Sequence, residues 1–193
     1  MKALLSTDAV APTVDTIGDA DPSSTIPIYF KGEMLYRHNI MRINYTTYDA
    51  RRKHDTINPG TSHRDIMVLN NRENQDDHPY LYARVLGIFH TNAVYMGPGC
   101  TDFNPRRVEF LWVRWYELNP KVAAGGWVSS SLDQLQFPPM ERASSFNFLD
   151  PAYVMRACHV APHFRLGLRH ADGKGLSPCA HDSKDWSGYL LNR

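Results

Sequence analysis

The chain has 193 residues, with 21 Lys and Arg against 20 Asp and Glu for a net charge of +1. Its 42% apolar and 21% charged residues lie near the globular average, which excludes collagen-like, coiled-coil and wholly disordered chains. The charge balance excludes nucleic-acid binding by bulk charge and leaves only a local basic patch.

In chain order, the first 25 residues read as a disordered tail. Ser6–Thr25 carries four Asp and no Lys or Arg, with too little apolar surface to offset its ordering entropy. Residues 26–193 read as one β-rich domain. A chain of this length buries about 70% of its unfolded surface and needs no disulfide support. Ile40–Tyr48 alternates as a strand, with Met41, Ile43, Tyr45 and Thr47 on one face and Arg42, Asn44, Thr46 and Tyr48 on the other. Asp49–Arg64 reads as a charged turn region around Asn58-Pro59-Gly60, and Asp65–Leu69 as a short strand.

The central signal is strongest. Tyr80–His90 reads as a strand with Leu81, Ala83, Val85, Gly87 and Phe89 on one face. Arg107–Tyr116 reads as a second, and the two suggest an antiparallel hairpin with an elaborated loop. Asn119–Ser145 is rich in Gly, Ser and Pro and reads as a long excursion with at most one short strand, near Leu135–Phe137. Asp150-Pro151 has the form of an N-cap followed by proline, opening a helical turn or two through Met155. Ala157–Val160 closes as a strand, Gly167–Lys184 is a loop, and Trp186–Leu191 packs back as a short helix or strand. The expected fold is mainly β: a small, partly open antiparallel barrel with a few short helices.

Cys100, Cys158 and Cys179 are odd in number and form no CxxC pair, which favours a reduced, intracellular chain. The N-terminus lacks the apolar stretch of a signal peptide, and no run approaches the roughly 20 residues that span a bilayer. No membrane partner is expected.

Nucleotide-binding, serine-hydrolase and zinc-protease motifs are missing from the sequence. Cys158, His159, His163, His170, Cys179 and His181 put six potential soft-metal ligands within 24 residues. They lack the two close pairs of a tetrahedral zinc site, and Pro162 separates His159 from His163, so no metal and no cofactor is expected. A hydrolase-like alternative would use Cys100 or a His/Asp metal site, but no catalytic residue is assigned. Lys31–His54 holds six basic and two acidic residues, a local charge of +4, interleaved with Tyr36, Tyr45 and Tyr48. Basic and aromatic residues together can hold nucleic acid by phosphate contact and stacking, so Arg42, Arg51, Arg52 and Lys53 are the phosphate candidates. Tyr82, Trp115 and Tyr116 are the candidates for a peptide-facing surface.

Several longer strings are distinctive: Arg42-Ile43-Asn44-Tyr45-Thr46-Thr47-Tyr48-Asp49-Ala50-Arg51-Arg52, Asp55-Thr56-Ile57-Asn58-Pro59, His78-Pro79-Tyr80-Leu81-Tyr82-Ala83-Arg84-Val85-Leu86-Gly87-Ile88-Phe89-His90, Phe110-Leu111-Trp112-Val113-Arg114-Trp115 and Phe148-Leu149-Asp150-Pro151. In this order, and with the tail Asp185-Trp186-Ser187-Gly188-Tyr189-Leu190-Leu191-Asn192-Arg193, the chain resembles the C-terminal region of proteins encoded by Plavaka-type transposons of mushroom-forming fungi. The resemblance covers about Tyr29 to Arg193, without the RNase H-like core. It implies a non-catalytic accessory module, domesticated or truncated, or else an inert remnant. Tyr82–Ile88 followed by Val113-Arg114-Trp115-Tyr116, with Cys158-His159-Val160, is similar to the bromo-adjacent homology (BAH) pattern. That similarity implies a chromatin protein segment as partner, beside the nucleic acid suggested by the basic zone, and a nuclear location.

Overall fold

The computed structural model describes residues 28–49, 51–70, 78–119 and 132–192. The tail expected over residues 1–25 lies outside the described residues. The strands are β1 (Ile28–Phe30), β2 (Tyr36–His38), β3 (Met41–Thr46), β4 (Arg52–Ile57), β5 (Asp65–Leu69), β6 (Tyr80–Tyr95), β7 (Arg106–Trp115), β8 (Glu117–Leu118), β9 (Asp133–Gln136), β10 (Phe146–Leu149), β11 (Val154–Ala157), β12 (His159–Pro162) and β13 (Tyr189–Asn192). Among the described residues, helical structure is confined to 3-10 turns of three residues. Asp150 does cap such a turn, accepting from the Ala152 N–H at 2.8 Å. The turn stops at Tyr153 because Val154–Ala157 is drawn into pairing with β5.

The β-branched and aromatic content that marks β6 and β7 makes them the spine of a seven-stranded antiparallel sheet, ordered β10-β7-β6-β5-β11. β6 runs past β5, and its free upper edge takes β2 at His90 and β1 at Val94. A second sheet runs β12-β13-β9-β8, and β3 and β4 form a separate two-stranded ribbon. None of these sheets closes into a barrel. The fold is mainly β and antiparallel, and it is layered: ribbon, large sheet, small sheet.

Each layer boundary is an apolar core. Between ribbon and large sheet lie Ile57, Ile66, Val85, Leu111 and Val113, all fully buried, with Met41, Ile43 and Trp115 packed against them. Between the two sheets lie Tyr82, Tyr116, Leu135, Phe137, Tyr189 and Leu191. A bulge at β6 decides which residues face which core. Val85 pairs Val113 and Gly87 pairs Trp112, so Leu86 is an extra residue. The single face expected for Ala83, Val85, Gly87 and Phe89 is therefore split. Ala83 and Val85 face the ribbon, whereas Gly87 and Phe89 share the opposite face with Trp112 and Phe110. The Phe89 ring fills the space where a Gly87 side chain would begin.

The second core holds charges. Asp65, Arg84 and Arg114 stand in one cross-strand row over β5, β6 and β7. Two like charges directly opposite would repel. Asp185, 1% exposed, separates them: it accepts from Arg84 Nη1 at 3.0 Å and from Arg114 Nη1 at 2.6 Å. Tyr189 donates to Asp185 at 3.1 Å and Tyr116 to Asp65 at 3.0 Å. The Phe137 ring lies under both guanidiniums, 4.8 Å from Arg84 Cζ and 3.9 Å from Arg114 Cζ. Burial, then the neighbouring Asp65 charge, pushes the Tyr116 hydroxyl pKa well above its ordinary value. The cluster is a neutral, buried clamp between the two sheets.

Candidate nucleic-acid interface

The ribbon of β3 and β4 carries the basic zone. Its register sets Arg42 opposite Thr56, Asn44 opposite His54 and Thr46 opposite Arg52. Cross-strand partners share a face, so these six side chains form one surface. All are exposed except Thr56, which is half-buried. The surface carries two guanidiniums, an imidazole, an amide and two hydroxyls, and no carboxylate. Towards the turn, an open cleft of about 440 Å³ is bordered by both faces of the ribbon, Asn44, Thr46, Arg52 and His54 from this one and Tyr45 and Lys53 from the other.

The opposite face explains why the ribbon folds this way. Met41, Ile43 and Ile57 enter the first core. Asp55 turns inward to β11, where it accepts from Arg156 Nε at 2.7 Å and from the Ala157 N–H at 3.0 Å. The hydrogen bond to Asp55 holds the Arg156 guanidinium pKa above its ordinary value. Arg156 in turn lies over the Tyr45 ring, with Cζ 3.7 Å from the ring centre. The ribbon's carboxylate and its central aromatic are thus engaged on the inner side, which leaves the outer face purely cationic and polar.

The four phosphate candidates separate. Arg42 and Arg52 share the outer face, and no ion pair engages either among the described residues. Lys53 is exposed but stands opposite Tyr45, on the other face. Arg51 lies in the turn, where its Nε meets Asp49 Oδ2 at 2.9 Å. The alternation of β3 already set Asn44 and Thr46 on the face of Arg42 without naming them as contacts, and His54 on the partner strand was missed. The signal was the alternation of Asp55 and Ile57 with Arg52, His54 and Thr56, which a turn assignment hid.

The peptide-facing candidates need correction. Tyr82 and Tyr116 are 2% and 7% exposed and form part of the core between the sheets. Trp115 packs half-buried on the other side of the large sheet. Burial of aromatic area outweighs its exposure wherever a second layer is available, and here both faces of β7 have one. These three side chains therefore do not converge on one surface.

The remaining chemistry is dispersed. Cys100 Sγ donates to the backbone carbonyls of Tyr95, at 2.9 Å, and Asp102, at 3.2 Å. Burial pushes the Cys158 thiol pKa far above its ordinary value, so it stays protonated. Among the described residues, no three His, Cys, Asp or Glu side chains converge as metal ligands. His170 Nε2 instead sits 3.3 Å from Asp182. No described helix is long and apolar enough to cross a membrane.

Protein-family models, curated proteins and solved structures contain no match to this chain. The functional reading therefore rests on its own residues.

Proposed function

We propose that this chain is a non-catalytic nucleic-acid-binding module and that its contact surface is the outer face of the β3–β4 ribbon. One observation carries the reading: Arg42, Arg52 and His54 stand together on an exposed face with no carboxylate, because Asp55 is turned inward onto Arg156. A net charge of +1 gives the whole molecule no bulk attraction for a polyanion, so the attraction comes from this local surface. The resemblance to Plavaka-type transposon proteins implies only a non-catalytic accessory module, and the nucleic acid is inferred from the basic surface itself. The similarity to the BAH pattern would add a chromatin protein as partner, but Tyr82 and Tyr116 offer it no exposed aromatic cage.

The test is a salt titration of binding to a generic duplex, comparing wild type with Arg42→Gln/Arg52→Gln. Each phosphate contact contributes about 0.9 to the log–log salt slope on duplex, so losing two flattens the slope by about 1.8. Arg51→Gln, which removes a cation already paired with Asp49, should change the slope by less than about 0.5. Equal slopes for wild type and the double variant, or no wild-type binding at low salt, would refute the reading.

A further inference from the structure

We infer that the nucleic acid taken by this ribbon is duplex DNA, entered through its major groove, with Asn44, Arg42 and Arg52 reaching base edges. The inference rests on the nucleic-acid reading above and adds the form of the ligand.

The outer face is chemically suited to a duplex and not to a single strand. Proteins that hold single strands rely on aromatic rings on which successive bases stack. Tyr45, the ribbon's central aromatic, is turned to the inner side beneath Arg156. Tyr48 is fully exposed, but it lies in the turn beyond the end of β3. The outer face itself has only hydrogen-bonding side chains. These are the types that read base edges: arginine bidentate on guanine O6 and N7, asparagine bidentate on adenine N6 and N7, and threonine on either hydroxyl-accessible edge or the thymine methyl.

The dimensions agree. A major groove about 12 Å wide admits a two-stranded ribbon, whose strands lie about 4.8 Å apart before side chains are added. Among the described residues, β3 and β4 pair only with each other, so neither outer edge is thickened by a third strand. Each strand has six residues, which at about 3.3 Å per residue reach about 20 Å, or roughly six base-pair steps of 3.4 Å. The register places Asn44 with His54 in the middle of that length, flanked by Arg42 on one side and Arg52 on the other. An amide at the centre of a recognition surface, between two forks, is arranged to read a short sequence. A guanidinium has five N–H donors, so Arg42 and Arg52 at the flanks each meet a base edge and an adjoining phosphate together, which keeps the two phosphate contacts counted in the salt slope. The deep, narrow major groove of duplex RNA does not admit such a ribbon, which separates DNA from RNA.

The experiment uses the 193-residue chain. Fluorescence anisotropy at one fixed salt concentration compares a duplex DNA, each of its single strands, and the duplex RNA of the same sequence. Selection from a randomised duplex then defines the preferred site. Duplex DNA should bind at least tenfold more tightly than the other two. Guanine N7 methylation within a site of about six base pairs should interfere, whereas a minor-groove competitor should not. Asn44→Ala, at an exposed position with circular dichroism as the folding control, should lose about 5- to 150-fold on the preferred site, the range for one good bidentate base contact. It should lose little on random duplex and keep the wild-type salt slope. Binding to single strands or duplex RNA equal to or tighter than to duplex DNA would overturn the inference. So would N7 methylation without effect, or an Asn44→Ala loss equal on every sequence. In those cases a slope still flattened by Arg42→Gln/Arg52→Gln leaves the nucleic-acid reading standing, whereas no binding to any of the three removes both.

Discussion

Replacing Asp185 by asparagine keeps the shape of the side chain and removes its charge. Asp185 is the carboxylate between Arg84 and Arg114, which face one another across β6 and β7. Without it, two guanidiniums that are 5% and 0% exposed retain only Asp65, which reaches Arg84 Nε at 3.2 Å. Arg114 Nε and Nη2 have no hydrogen-bond partner among the described residues, so the Asp185 contact is its one polar anchor. Two unit charges about 5 Å apart repel by about 3 kcal/mol at an effective dielectric constant of 20. Breaking a buried pair from one side is known to cost about 3–5 kcal/mol. The two figures converge, and domains are stable by only about 5–15 kcal/mol. With an m-value near 2 kcal/mol/M, the urea midpoint should fall by about 1.5–2.5 M. Adding Arg114→Met should restore part of the loss, because the second charge then leaves the core. The exposed pair of Arg107 and Glu109, 2.8 Å apart, is the control, and Glu109→Gln should cost less than about 1 kcal/mol. An Asp185→Asn midpoint within about 0.5 M of wild type at unchanged m would refute the clamp, as would no recovery with Arg114→Met.

Two further outcomes follow from single side chains. Burial would raise the Asp182 carboxyl pKa, but the N–H groups of Leu176 and Ser177, at 2.7 and 3.0 Å, win and hold it below its ordinary value. A carboxyl depressed on folding stabilises above its unfolded pKa, near 3.9, and that share is lost as pH falls through the lower folded value. Urea midpoints between pH 5 and 2 should therefore fall less steeply for Asp182→Asn than for wild type; parallel curves would contradict this. Asp55→Ala strips Arg156 and the Ala157 N–H of their acceptor and should cost about 1–3 kcal/mol, felt mainly in the ribbon. Amide exchange should then quicken in β3 and β4 well before β6 and β7; an even increase over the chain would show that the ribbon is not anchored there.

The parts of the fold that could be read directly were those whose side chains satisfy themselves locally. β6 and β7 announce themselves by alternating Val, Ile, Phe and Trp, and β3 by Met41, Ile43 and Tyr45. β4 does not, because its inward residues are Lys53, Asp55 and Ile57, and Asp55 becomes an acceptable inner residue only through Arg156, 101 positions later. The same non-locality hid the clamp, since Arg84 meets a carboxylate 101 positions away and Arg114 one 71 away. Tyr82 and Tyr116 looked available for recognition because no pattern in the sequence predicts that a second sheet built from β8, β9, β12 and β13 will cover them. The bulge at Leu86 was equally silent, and it reassigns every later residue of β6 to the other face. On the ribbon, the alternation gave Arg42 its correct face, but the partner strand that completes the surface lay inside a stretch read as a turn.

The 71 positions between Arg114 and Asp185 also set a timetable. A ribosome adding about 5–20 residues per second needs roughly 4–14 s to travel that distance. Over that interval β6 and β7 can already have emerged and paired, with Asp65 beside Arg84 and Arg114 lacking the carboxylate that anchors it. Arg114, fully buried in the finished fold, has its polar anchor only once Asp185 has been made. A pause in translation between these two points prolongs the time in which the row of Asp65, Arg84 and Arg114 carries one positive charge too many.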